Sequence, residues 1–263
     1  MTASSLDSPV RHRRTLASVL QALARPSNYS GILKTFALTD HPISFLRRYI
    51  RNDGTYPAQI GLRTPTGRLL IDTYAPDDIQ TINEIFFRGD YECGRDAKVI
   101  VDFGSNIGIS ALYFLSRNAE AFCYGYEPLP QNIERFHKNL APYSGRVMLT
   151  EAAVGESEGT VSFGWEPTGR YGGINRETGA TIEVPCKDSN VELAAILRKH
   201  DQIDLLKVDI ETMEKIVVSR IPPDIARRIK TLVVEYPFSE NPLAQTHAMS
   251  VEGAVAKFQR KLN

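Results

Sequence analysis

The sequence predicts an α/β protein with a Rossmann-like, mostly parallel sheet covered by helices on both faces and preceded by a helical and hairpin extension. Three observations predict it. From Lys98 onward, short apolar runs without polar alternation recur between helical stretches, the pattern of strands buried on both faces. The first run, Val99-Ile-Val, ends at Asp102 and passes into a glycine-bearing turn, Gly104-Ser-Asn106-Ile-Gly108. The chain of 263 residues, 42% hydrophobic, is long enough to bury the core that such a sheet needs.

The elements follow in order. Residues 1–57 form the helical extension, with apolar residues at helical spacing at Leu16, Val19, Leu20 and Leu23 and again at Ile43, Leu46 and Ile50. The cluster Pro26-Ser27-Asn28 separates the two stretches. Residues 58–97 lead into the core. Gln59 to Tyr74 holds two extended runs joined at Thr64-Pro65-Thr66-Gly67, and Asp77 to Phe87 fits a helix capped by Asp77 or Asp78. The core itself spans 98–263. Its first strand ends at Asp102, with a helix over Ile107 to Arg117, and the second strand, Ala121 to Tyr126, precedes a helix over Leu129 to Leu140. A third strand covers Val147 to Thr150, and residues 159–187 form an insertion with a hairpin-like pattern from Gly159 to Val184. A helix over Val191 to His200 and strands at Ile203 to Val208 and Thr231 to Val234 complete the pattern. The chain ends soon after the fifth strand, which leaves little room for further strands.

Composition narrows the function. The 31 basic and 31 acidic residues cancel, so nothing in the overall charge calls for nucleic acid or an anionic membrane. No apolar run approaches the roughly 20 residues needed to span a bilayer. Cys93, Cys123 and Cys186 have no zinc-like spacing and suit a reducing compartment, so a cytoplasmic protein is expected. Arg11 to Arg14 before Leu16 to Ala24 outlines a weak export signal; a short amphipathic helix or tail is the preferred reading.

The strand ends carry the chemistry. Gly104 lets the backbone turn, Gly108 allows close approach to a ligand, and free N–H groups at the helix start favour a small anion, with Asn106 in the same turn. Asp102 could attract an amino group. Glu127 closes the next strand 25 residues after Asp102, where a carboxylate can accept both hydroxyl hydrogens of a ribose. Together they indicate a nucleoside-bearing cofactor. The turn lacks the Gly-x-Gly-x-x-Gly that cradles a pyrophosphate, so S-adenosylmethionine is favoured over a nicotinamide cofactor, its carboxylate at the turn. Ala153 and Val154 would flank the adenine. On the fourth strand, Asp204-Leu-Leu-Lys207-Val-Asp209-Ile-Glu211 places Lys207, Asp209 and Glu211 on one side, and Glu235 could join that edge.

From Asp77 to Tyr236 the chain resembles the FkbM family of methyltransferases. The resemblance is carried by Ile85-Phe-Phe-Arg-Gly-Asp-Tyr91, the Asp102 to Gly108 turn, Tyr126-Glu-Pro128, Glu151-Ala-Ala-Val-Gly155 and Asp204 to Glu211. It implies a class I methyltransferase fold and O-methylation of sugars, natural products or lipid-linked glycans. Two departures stand out: Thr212 replaces the family's usual glycine after the glutamate at 211, although Glu214 is kept, and the short C-terminus lacks room for the usual last two antiparallel strands. The expected mechanism uses Asp209 or Glu211 as base or acceptor-orienting group, with Lys207 steadying the developing oxyanion. No dedicated metal site is expected, and a homodimer is compatible. Arg170-Tyr171-Gly-Gly173 would lie over the acceptor. Competing readings are a cysteine-nucleophile cytosine methyltransferase, suggested by Pro185-Cys186, a nicotinamide-dependent oxidoreductase, and a catalytically inactive methyltransferase-fold scaffold.

Overall fold

The computed structural model describes residues 26–52, 54–166, 169, 172–177 and 179–261, with backbone alone at 26–30. The helical spacing from Leu16 to Leu23, and Arg170 and Tyr171, lie outside the described residues. Two proline-initiated helices open the structure, α1 (Pro26–Leu38) and α2 (Pro42–Arg51). The missing N–H of proline costs nothing at a first helical position, and Asn52 ends α2 in the left-handed conformation that asparagine tolerates. Strands β1 (Ala58–Thr64) and β2 (Gly67–Thr73) form the expected antiparallel hairpin, burying Ile60, Leu62, Leu69 and Ile71. Helix α3 (Pro76–Ile82) continues into a π-turn at Asn83–Arg88. Ala75 occupies the cap position, and the Asp78 carboxylate reaches back to accept from the Tyr74 and Ala75 amides at 2.6 and 3.0 Å. This wide turn buries Ile85, Phe86 and Phe87, and Tyr91 follows it.

The main sheet contains β3 (Val99–Phe103), β4 (Phe122–Tyr126), β5 (Val147–Thr150), β10 (Ile203–Val208), β11 (Ile229–Val234), β12 (His247–Glu252) and β13 (Val255–Arg260). Their order across the sheet is β12-β13-β11-β10-β3-β4-β5. The five strands from β11 to β5 are parallel, and β13 runs antiparallel to β11 and pairs with β12. The chain therefore does have room for two last strands, contrary to the expectation from its length. A two-residue turn at Gly253-Ala254 suffices to join them, with Gly253 at φ 62°. Helices α4 (Ile109–Leu115), α5 (Pro130–Leu140) and α6 (Ser189–Leu197) connect the strands, and the Asp188 carboxylate caps α6 by accepting from the amides of Asn190 and Val191. Between β10 and β11 come two short helices, α7 (Glu214–Ser219) and α8 (Pro223–Ala226).

The insertion joins the preceding strand in a separate four-stranded sheet, ordered β6-β9-β7-β8, from β6 (Ala153–Gly155), β7 (Gly159–Trp165), β8 (Gly172–Ile174) and β9 (Ala180–Asp188). One hydrophobic cluster joins Phe45 of α2, Leu62 of β1 and Phe87 to Ile100 and Leu205 of the main sheet. Among the described residues no helix is long and apolar enough to cross a membrane. The winding reverses between β3 and β10, because successive strands run outward through β4 and β5 before the chain returns to β10. At such a switch point the carboxyl ends of neighbouring strands diverge and leave a crevice.

Candidate functional site

The turn after β3 is shaped by three consecutive demands for left-handed backbone, at Gly104 (φ 85°), Asn106 (φ 49°) and Gly108 (φ 90°). At Gly104 a Cβ would sit 1.8 Å from the Asp209 carbonyl oxygen, so the ends of β3 and β10 touch backbone to backbone. Gly108 serves packing instead of ligand approach: a Cβ there would meet Leu140 Cδ2 at 2.3 Å and Phe136 at 3.0 Å. Gly108 thus closes α4 against α5 and lines neither the cavity beside Glu127 nor the larger one beside Glu235.

Glu127 is brought to this turn. Its carboxylate is 5% exposed and accepts from the Asn106 amide at 2.9 Å, the Leu129 amide at 2.9 Å and Asn132 Nδ2 at 3.3 Å. Burial pushes Glu127 up to about 7, with the hydrogen bonds from Leu129, Asn132 and Asn106 pulling in the opposite direction. A cavity of about 70 Å³ opens beside it, lined by Gly104, Asn106, Glu127, Ala153, Val154 and Asn132 among others. Asn132 is a residue that the sequence alone did not single out. It is 2% exposed, its Nδ2 donates to the Gly169 carbonyl at 2.8 Å, and its buried Oδ1 has no hydrogen-bond partner among the described residues. Asn106 Nδ2 also reaches the Gly169 carbonyl, at 3.2 Å, so the insertion covers this cavity.

Asp102 does not face either cavity. It is 0% exposed, and its Oδ1 lies 3.0 Å from Lys207 Nζ while its Oδ2 accepts from Ser110 Oγ at 2.5 Å. The parallel register sets Lys207 directly opposite Asp102, which is why the two meet. An amino group of a ligand would find that carboxylate already neutralised and sealed. Lys207 is 2% exposed and also donates to the Gly104 carbonyl at 2.8 Å, so its ammonium clamps the turn. Burial pulls the Lys207 ammonium down, but the charges of Asp102 and Asp209 outweigh burial and hold it above the usual lysine range.

Asp209 and Glu211 lie past the end of β10, where they line both the small cavity and a second one of about 570 Å³. Asp209 Oδ2 is 3.4 Å from Lys207 Nζ. Glu211 takes a left-handed φ of 53° and its carboxylate is paired with Arg176 of the insertion at 2.9 Å, which ties it to the insertion. Thr212 is also left-handed, at φ 69°, and its Oγ1 donates to the Ile174 carbonyl at 3.1 Å. The larger cavity adds Tyr91 and Glu235, which converge on Asp209. Cys186 is buried, and burial raises its thiol, so it is unsuited to act as a nucleophile.

Comparison with known proteins bears on what this arrangement does. Residues 102–250 match the methyltransferase FkbM domain. A curated relative, the AMB antimetabolite synthetase AmbE of Pseudomonas aeruginosa, is 24% identical over 191 residues, covering 59% of this chain and 9% of its own length. The chain thus spans less than a tenth of that relative. Among solved structures, methyltransferase FkbM from Methylobacillus flagellatus is 13% identical at a TM-score of 0.43, covering 70% of this chain and 54% of its own. A methyltransferase from Geobacter sulfurreducens is 12% identical at a TM-score of 0.37, covering 64% and 73%.

Proposed function

The chain belongs to the FkbM family of methyltransferases, and from that premise we propose that it is an S-adenosylmethionine-dependent O-methyltransferase acting on a hydroxyl of a small molecule, a sugar or a glycosylated natural product or lipid. The observation that carries this reading is the position of the Glu127 carboxylate, hydrogen-bonded to the glycine-bearing turn and facing the cavity beside it. The residues there suit an adenosyl group. Glu127 supplies oxygens for ribose hydroxyls, Ala153 and Val154 supply small apolar surface, and Asn132 Oδ1, without a partner among the described residues, is a further acceptor. The Gly169 carbonyl lies over this cavity, so the insertion must shift to admit a nucleoside, since ligand pockets run to about 300–1,000 Å³. Similarity to part of an antimetabolite synthetase supports an acceptor of natural-product type.

When bound, S-adenosylmethionine would supply an electrophilic methyl group. This chain's own residues hold and orient the reactants and accept a proton. Lys207, through the Gly104 carbonyl, fixes the turn that divides the cavities. The larger cavity receives the acceptor, with Asp209 at the boundary as the orienting group. Positioning contributes up to about 7–11 kcal/mol to such a reaction, and a carboxylate base adds about 10²- to 10⁴-fold. Titration calorimetry with S-adenosylmethionine and S-adenosylhomocysteine tests the reading, followed by mass spectrometry of candidate glycosides incubated with methyl-labelled cofactor. Absence of binding would favour an inactive scaffold and overturn it.

A further inference from the structure

A hydroxyl that is methylated must lose its proton, and the end of β11 carries a carboxylate placed to take it. Glu235 follows β11 directly, and its amide donates to the Val208 carbonyl at 3.0 Å, which fixes it beside Asp209. Tyr91, 6% exposed, sends its hydroxyl between the two acids, 2.8 Å from Glu235 Oε2 and 3.2 Å from Asp209 Oδ2. One hydroxyl hydrogen serves one acceptor at a time, so full ionisation of both acids leaves like charges facing each other across a single donor. Lys207 neutralises only part of this, because its ammonium is also engaged by Asp102 and the Gly104 carbonyl. The C-terminal hairpin adds Glu252 and Lys257 to the same cavity, one charge of each sign.

We propose that Glu235 is the catalytic base, that Asp209 accepts a hydrogen bond from the proton Glu235 takes up, and that Tyr91 is the positioning residue that holds the pair. This rests on the O-methyltransferase reading above and adds the residue that completes it. The like charge of Asp209, together with burial, pushes Glu235 up to about 7, while the Tyr91 hydrogen bond and Lys207 pull it down. A base with that affinity accepts a proton near neutral pH and returns it to solvent, as general-base catalysis requires. The step balances: the acceptor's O–H bond breaks as its oxygen takes the methyl group, the proton passes to Glu235, and the electron pair of the broken methyl–sulfur bond stays on sulfur. Asp209 then stabilises the protonated Glu235 by accepting its hydrogen. Glu211 is instead tied to Arg176 of the insertion.

The test is carbon-13 NMR titration of the full chain carrying glutamate labelled at the carboxyl carbon, with Glu235 assigned by the signal lost in Glu235→Gln. The expected wild-type midpoint for Glu235 is about 7. Asp209→Asn moves it down toward about 4.3, the ordinary glutamate value, and Tyr91→Phe, which removes a lowering hydrogen bond, moves it up. A wild-type midpoint in the ordinary range, or one indifferent to Asp209→Asn, overturns the proposal. Calorimetry with S-adenosylhomocysteine separates the two readings. Failure of the wild type to bind refutes the methyltransferase site but leaves the titration standing. Wild-type binding with a loss of more than about tenfold in Glu235→Gln refutes the placement of Glu235 on the acceptor side.

Discussion

Replacing Lys207 by methionine tests whether the turn that carries the site is held by a buried charge. The ammonium is 2% exposed and makes three polar contacts, with Asp102 Oδ1 at 3.0 Å, the Gly104 carbonyl at 2.8 Å and Asp209 Oδ2 at 3.4 Å. Methionine fills the space but leaves Asp102, 0% exposed, as a buried carboxylate with only Ser110 Oγ as side-chain donor. Breaking one side of such a pair costs about 3–5 kcal/mol, whereas removing both charges together is often close to neutral. For a chain of this size each kcal/mol lowers Tm by about 2–4 °C, so Lys207→Met loses about 6–20 °C. The double variant Lys207→Met/Asp102→Asn should recover more than half of that loss, since no uncompensated charge remains. Thermal unfolding followed by circular dichroism on the two single variants and the double variant gives the coupling directly. A loss under about 1 kcal/mol in Lys207→Met, or a double variant equal to the sum of the singles, would refute the reasoning.

Four further outcomes are expected. Glu127, raised to about 7 in the folded chain, has a carboxyl that the folded state keeps protonated longer than the unfolded state does. Its contribution favours folding at low pH and is lost as pH rises from about 4.3 to about 7, a change of about 3–4 kcal/mol that Glu127→Gln should abolish in pH-dependent denaturant melts. Because ribose recognition needs the ionised carboxylate, affinity for S-adenosylmethionine should fall by at most about tenfold per pH unit below 7, and a flat calorimetric profile would count against that role. Gly104→Ala, with a left-handed φ and a Cβ 1.8 Å from the Asp209 oxygen, should lose about 2–5 kcal/mol in chemical denaturation. Thr212→Asn should gain up to about 1 kcal/mol, because asparagine tolerates the left-handed backbone that a β-branched residue resists; a lower Tm would show that the Thr212 bond to Ile174 dominates.

The parallel core was legible because strands buried on both faces leave uninterrupted apolar runs, and Val99-Ile-Val and Leu232-Val-Val234 do so. The two C-terminal strands were missed for a physical reason. β12 is an edge strand whose residues are mostly exposed, apart from His247, so its pattern is weak. The alternation Ala256-Lys257-Phe258-Gln259 in β13, with Ala256 and Phe258 buried, was a readable signal, as was Gly253-Ala254 between the strands. The pairing of Asp102 with Lys207 is not legible in the sequence because it depends on strand order. Only the adjacency of β3 and β10 reveals that Lys207 stands opposite it. The same adjacency, extended to β11, brings Glu235 to Asp209, and Tyr91 arrives from 118 positions earlier in the chain than Asp209.

The contact between Gly104 and Asp209 is what would let the two cavities serve one reaction under the proposed function. Gly104, Asn106, Asp209 and Glu211 line both, so a group seated beside Glu127 and one seated beside Glu235 meet across a wall one backbone thick. A side chain at 104 would push that wall apart, and the buried ammonium of Lys207 pulls it together from behind through the Gly104 carbonyl. Transfer of a small group demands that its donor and acceptor be held within contact distance, and effective concentrations of this kind fall steeply when geometry loosens by even an ångström. The charges expected at the reacting centre are thus divided by position. Asp102 and Lys207 set the spacing from inside the sheet, Glu211 pairs with Arg176 of the insertion, and the proposal leaves the proton to the acids that open onto the larger cavity.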